Sequence, residues 1–95
     1  MTDDTKTKIG KDFYDLYYFR YNDNKINARK IVTISEELSF ARNTKIIISI
    51  DNEVIYEFLA RPDEEFLNAV ADDSVYATYL YLKNLEKQSK YFTQY

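Results

Sequence analysis

The stretch TKIIISIDNEVIYEF, residues 44–58, constrains the fold more than any other part of the chain. Two β-branched runs flank Asp51 and Asn52, and that pattern around a turn-forming pair predicts an antiparallel hairpin. Two registers compete. A two-residue loop at Asp51 and Asn52 pairs Ile50 with Glu53, Ile48 with Ile55 and Ile46 with Glu57, which mixes carboxylates into the isoleucine face. A three-residue loop over 51–53 instead pairs Ile50, Ile48 and Ile46 with Val54, Tyr56 and Phe58 and keeps one face dry. It asks a residue near Asn52 or Glu53 to take a positive φ, which Asn tolerates better than Glu. The dry register is the expected one, with Ile48 and Tyr56 turned together toward helices.

Upstream of the hairpin, DFYDLYYFRY over 12–21 fits two periods. Tyr14, Tyr17, Tyr18 and Tyr21 recur at helical spacing, whereas Phe13, Tyr17, Phe19 and Tyr21 share a face at period two. Aromatic enrichment favours a strand. NDNK over 22–25 is turn chemistry, a second strand is expected over 26–34, and SEELSFAR reads as a short helical turn with Ser35 as N-cap and Glu36 and Glu37 in its first turn. Residues 1–10 carry no apolar side chain between Met1 and Ile9 and read as a flexible leader, which leaves 11–95 as a single domain.

Downstream, Pro62 suits the first turn of a helix in which Asp63, Glu64 and Glu65 meet unpaired amides and Phe66, Leu67, Ala69 and Val70 form the apolar side. Asp72 or Asp73 is expected to cap a second helix reaching about Phe92. On that helix Tyr81, Leu82, Leu85 and Phe92 share one arc, opposite Lys83, Glu86, Lys87 and Lys90, with Tyr76 and Tyr79 on the charged side. Tyr17, Tyr56 and Tyr81 are expected inside, and Tyr76, Tyr79, Tyr91 and Tyr95 outside. The expected fold is therefore α+β: an antiparallel sheet of about four short strands with two C-terminal helices packed on one face.

Chemistry is bounded by what the chain lacks. Without cysteine or histidine, it has no thiolate site, no cysteine nucleophile and no imidazole base. The only glycine is Gly10, so neither a phosphate-cradling loop nor a calcium loop of the D-x-[DN]-x-[DN]-G form can be built. The five serines have no histidine partner, and the acids show no spacing that converges on a metal. Catalysis, a cofactor and a metal site are all unexpected. No apolar run approaches the ~20 residues needed to span a bilayer, and the N-terminus resembles no secretory signal; the expected compartment is the cytoplasm.

Charge is uneven. Between residues 51 and 73 stand eight acids, Asp51, Glu53, Glu57, Asp63, Glu64, Glu65, Asp72 and Asp73, against the single base Arg61. Helix capping accounts for Asp63, Glu64, Glu65 and Asp73 taken one at a time. The acids at Asp51, Glu53 and Glu57 need another reason, and a surface that pairs with a partner's Arg and Lys supplies one, with Tyr76 and Tyr79 adding flat contact area. Such a surface repels nucleic acid directly but can occupy a protein site that binds it.

The hairpin TKIIISIDNEVIYEF followed by the acid-led PDEEFLNAVADDSVY resembles phage-encoded anti-CRISPR proteins, over roughly residues 44–80. The resemblance implies a non-enzymatic inhibitor, a DNA mimic whose Asp51, Glu53, Asp63, Glu64, Glu65, Asp72 and Asp73 fill the arginine pocket with which a CRISPR nuclease reads its target. The implied partner is a protein with a basic nucleic-acid-binding cleft, in a host cytoplasm. Toxin-immunity proteins, also small, acidic and tyrosine-rich, imply the same mechanism. From a different class comes a structural or assembly protein in which exposed tyrosines form a homodimer seam and the acids confer solubility.

Overall fold

The computed structural model describes residues 1–24, 30–39 and 43–93, with side chains of the last helix described as far as Lys87. In chain order the elements are β1 (Thr2–Asp4), α1 (Lys8–Asp23), β2 (Val32–Leu38), β3 (Thr44–Ile50), β4 (Glu53–Leu59) and α2 (Glu64–Thr93). The class is α+β with a four-stranded sheet, as expected. One helix precedes the hairpins and one follows them, rather than two lying C-terminal. The strands run in the order β1-β2-β3-β4, and the sheet is mixed because β1 pairs parallel to β2.

The hairpin reconciles the two registers. Ile48 opposes Tyr56 and Ile46 opposes Phe58, as the dry register requires, while at the tip Ile50 opposes Glu53 across a two-residue turn. A bulge between Ile48 and Ser49 absorbs the difference. Asp51 and Asn52 both take positive φ, 50° and 72°, the backbone of a turn whose twist matches that of the flanking strands. Ile46, Ile48 and Ile50 are fully buried, and Glu53 and Glu57 stay exposed.

Residues 12–21 are helical, not a strand. Phe13 and Tyr17 sit one turn apart and point into the core with no exposure, and the helical period wins because it buries both rings while Tyr14 and Tyr21 pack half-buried beside them. Phe13 meets Phe58 edge-on at 4.9 Å, and the Tyr17 hydroxyl shares a 2.6 Å hydrogen bond with Thr78 Oγ1 of α2. Burial pushes the Tyr17 phenol well above its usual range.

Ser35 to Leu38 belong to β2 rather than to a helical turn. Val32, Ile34 and Glu36 alternate onto the buried face opposite Ile50, Ile48 and Ile46, so the two-residue period overrides local capping chemistry. Most of the strand expected over 26–34 lies outside the described residues. The leader reading of 1–10 is also corrected: Thr2, Asp3 and Asp4 pair with Thr33, Ile34 and Ser35, and the turn into α1 is tied down by Glu36. That carboxylate accepts from Lys6 N at 2.8 Å, Thr7 N at 3.1 Å, Thr7 Oγ1 at 2.7 Å and Thr44 Oγ1 at 2.7 Å. Thr7 is the N-cap of α1, which has no acid in its own first turn; Glu36 of β2 supplies the negative charge that a helix start favours.

α2 is one continuous helix, so neither Asp72 nor Asp73 is a cap. No glycine or proline interrupts it, and Ala71, Ser74, Val75 and Thr78 are buried at helical spacing straight through the supposed break. Ser74 Oγ and Thr78 Oγ1 are satisfied by donating to Ala71 O and Ser74 O. The true N-cap is Asp63, whose Oδ1 accepts from Glu65 N at 3.0 Å and Phe66 N at 3.4 Å. Tyr81 and Tyr56 are half-buried; Tyr91, Phe92 and Tyr95 lie outside the described side chains.

Candidate interaction surface

Both helices cover the sheet face that carries Ile34, Ile48 and Phe58, and their outer sides face solvent. Along the outer side of α2 run Asp72, Tyr76 and Tyr79, spaced by four and three residues and so stacked on one stripe. Tyr76 is 62% exposed and Tyr79 41%, on a helix whose inner stripe is almost dry. Between that stripe and the C-terminal turn of α1 lies a cleft of about 500 Å³, lined by Arg20, Asn24, Asp72, Val75, Tyr76 and Tyr79.

Arg20 is the hinge pin of this cleft. Its Nε donates to Asp72 Oδ1 at 2.5 Å, its Nη2 to Asn68 Oδ1 at 2.6 Å and its Nη1 to Leu16 O at 3.3 Å. The guanidinium therefore holds the floor of the cleft by joining α1 to α2. From sequence Arg20 looked like one of many dispersed bases; a residue one helical turn beyond the buried Tyr17 would have been the signal, once α1 was read as a helix.

The other acids do not gather into a row. Asp51 pairs with Lys30 at 3.2 Å and accepts from Ile31 N at 3.2 Å, bonds that hold its carboxyl below the usual range. Glu57 pairs with Lys45 at 3.2 Å, and Lys45 also reaches Glu37 at 3.8 Å. Glu53 accepts from the Tyr81 hydroxyl at 2.5 Å, which raises the phenol's pKa. Asp63 caps α2, and Glu64 and Glu65 follow it in the first turn. Residues 64 and 81 are separated by roughly 25 Å of helix rise, so the acids at the start of α2 and those at the hairpin tip form separate groups. Asp73 lies near Tyr56, whose phenol is pushed up by burial and by that carboxylate. Among the described residues no group of three or more acids could hold a metal ion.

Glu36 is the residue that sequence reasoning misplaced most. It is buried without a cationic partner in the described ion pairs, and although burial pushes its carboxyl up, the four hydrogen bonds pull it down further, to below its ordinary 4.5. Its role is structural; it lies away from the α2 stripe.

Fold and surface together define a small α+β protein with an exposed tyrosine-bearing stripe on its last helix and, among its described residues, no group of acids that could hold a metal ion. The family model for the curli assembly protein CsgE matches residues 1–94, and the chain belongs to that family. No curated protein matches the sequence. Membership in a curli assembly family overturns the resemblance to phage anti-CRISPR proteins, and with it DNA mimicry and a nuclease with a basic cleft as the partner. The geometry gives the physical reason: Asp51, Glu57 and Asp72 pair with the chain's own cations, and the acids at the start of α2 stand apart from those at the hairpin tip. Of the functions weighed from sequence, an assembly protein is the one the family supports.

Proposed function

We propose that this chain is a non-catalytic accessory factor in curli assembly, holding another component of that assembly against the outer side of α1 and α2. The observation that carries the reading is the exposed stripe of Asp72, Tyr76 and Tyr79 over the Arg20 cleft. Tyrosines left outside a well-buried helix offer rigid, amphipathic contact area at low entropic cost. Asp73 and the acids of the first turn of α2 supply a negative rim that favours encounter with a basic surface. Asp51, Glu53 and Glu57 are further from the stripe and serve this reading only as part of the general acidic field. A family described by assembly rather than by a reaction, together with a chain that has neither histidine nor cysteine, supports action by binding alone.

The test is complementation of curli formation in cells lacking the native gene. Tyr76→Ala combined with Tyr79→Ala should abolish assembly while shifting the thermal transition of the purified protein only slightly, because Tyr76 is largely exposed and Tyr79 lies outside the core. Full assembly by a correctly folded double variant would show that the stripe is not the working surface.

A further inference from the structure

The free edge of β4 is a second surface, and its argument does not rest on the helical stripe. Among the described residues β4 has β3 on one side and no strand on the other. Ala60 N donates to Thr44 O at 2.9 Å, and Lys45 opposes Leu59 while Ile47 opposes Glu57. In an antiparallel ladder, residues alternate between those bonded to the neighbour and those whose N–H and C=O point away from it. Leu59 and Glu57 therefore direct their backbone donors and acceptors outward, at a strand in which Val54 and Leu59 are about half exposed, 53% and 50%.

An edge of this kind can take another strand, and like charges across the new pair disfavour it while opposite charges favour it. On the helix side of β4 stands Glu53, which is held by a neutral phenol, with Asp73 of α2 near Tyr56. On the open side Glu57 shares the single Lys45 with Glu37. On the open side two acids share one cation, so one net negative charge remains there although Glu57 itself is paired, and on the helix side Glu53 has no cationic partner among the described ion pairs. At the sheet's opposite edge, β1, Asp3 is taken up by Lys11 at 3.4 Å and by Thr5. A second copy pairing β4 with β4 would set Glu53 and Glu57 near their own counterparts, which opposes self-pairing through this edge. We propose that β4 accepts an extended, lysine- or arginine-bearing segment of another protein as a fifth strand, with backbone bonds made at Glu57 and Leu59 and cations placed against Glu53, Asp73 and Glu57.

The probe is a synthetic, end-blocked heptapeptide of lysine and valine with lysines at both odd and even positions, so that both faces of the extended chain carry cations, titrated by fluorescence anisotropy at low salt against the intact chain. A glutamate–valine peptide should bind at least tenfold more weakly. The lysine peptide N-methylated on both edges should lose binding altogether, since charge and side chains remain while the ladder cannot form. Leu59→Pro removes one outward N–H at the strand's end without touching a bond to β3 and should weaken binding about tenfold. Hydrogen exchange at Glu57 and Leu59 should slow on binding. Tyr76→Ala should leave the titration unchanged, which separates this proposal from the one for the helical stripe. The proposal is overturned if the peptide fails to bind, if N-methylation leaves binding intact, or if the free chain is a dimer that Leu59→Pro dissociates. Should Leu59→Pro disturb the fold, the N-methylated peptide on the unaltered protein decides alone.

Discussion

Gly10→Ala should destabilise this protein, although the same change inside most helices stabilises by about 1 kcal/mol. Gly10 sits in the first turn of α1, and a Cβ there would lie 2.0 Å from Glu36 Oε1, 3.0 Å from Glu36 Cδ and 3.2 Å from Thr5 Cβ. The end of a glutamate side chain can ordinarily swing aside. This one is held by the amides of Lys6 and Thr7 and the hydroxyls of Thr7 and Thr44. Relieving the overlap moves the carboxylate by more than ~1 Å, enough to break both bonds to Oε1. Losing two part-buried hydrogen bonds to a charged acceptor costs about 1.5–3 kcal/mol each, so after the helix gain the net loss is ~2–5 kcal/mol, from a total of ~5–14 kcal/mol for a chain of this size. Urea unfolding followed by circular dichroism measures it, in a cycle with Glu36→Ala. That single variant should lose ~3–5 kcal/mol through the same orphaned donors. Once the carboxylate is gone, adding Gly10→Ala should regain about 1 kcal/mol, a reversal of sign. In Glu36→Gln, whose amide keeps the carboxylate's shape, Gly10→Ala should remain harmful. An equal effect of Gly10→Ala with and without Glu36 would refute the contact as the cause.

Acid should loosen the same junction. The folded Glu36 carboxyl titrates below its ordinary 4.5, so its contribution is complete above that value and is lost as pH falls through the lower folded pKa; Glu36→Gln should flatten the thermal-melt pH profile below about pH 4.5 and leave its slope at neutral pH unchanged. Ile48→Ala removes a side chain with no exposure opposite Tyr56, and denaturant titration should show a loss of ~2–5 kcal/mol typical of core truncation.

Local pattern determined the hairpin and its core. Alternating β-branched residues around Asp51 and Asn52 could bury only one face, which placed Ile46, Ile48, Tyr56 and Phe58 together, and acids after Pro62 marked the start of α2 because helix amides attract them whatever the tertiary context. The exposure of Tyr76 and Tyr79 followed from the charged stripe on which they lie. Tertiary structure decided the rest. DFYDLYYFRY satisfies strand and helix periods alike, and only the cavity between the sheet and α2, which Phe13 and Tyr17 fill one turn apart, selects the helix. Glu36 reads as a helix-start acid, and it is one, but for α1, a helix that begins near residue 8 and meets β2 only after the chain has folded. The acids between 51 and 73 are contiguous in sequence yet disperse in space, because α2 carries its first turn roughly 25 Å from Tyr81 and because Lys30, Lys45 and Arg20 arrive from other elements to match them. Charge summed along a chain is a property of sequence; the field it presents depends on which cations the fold brings alongside.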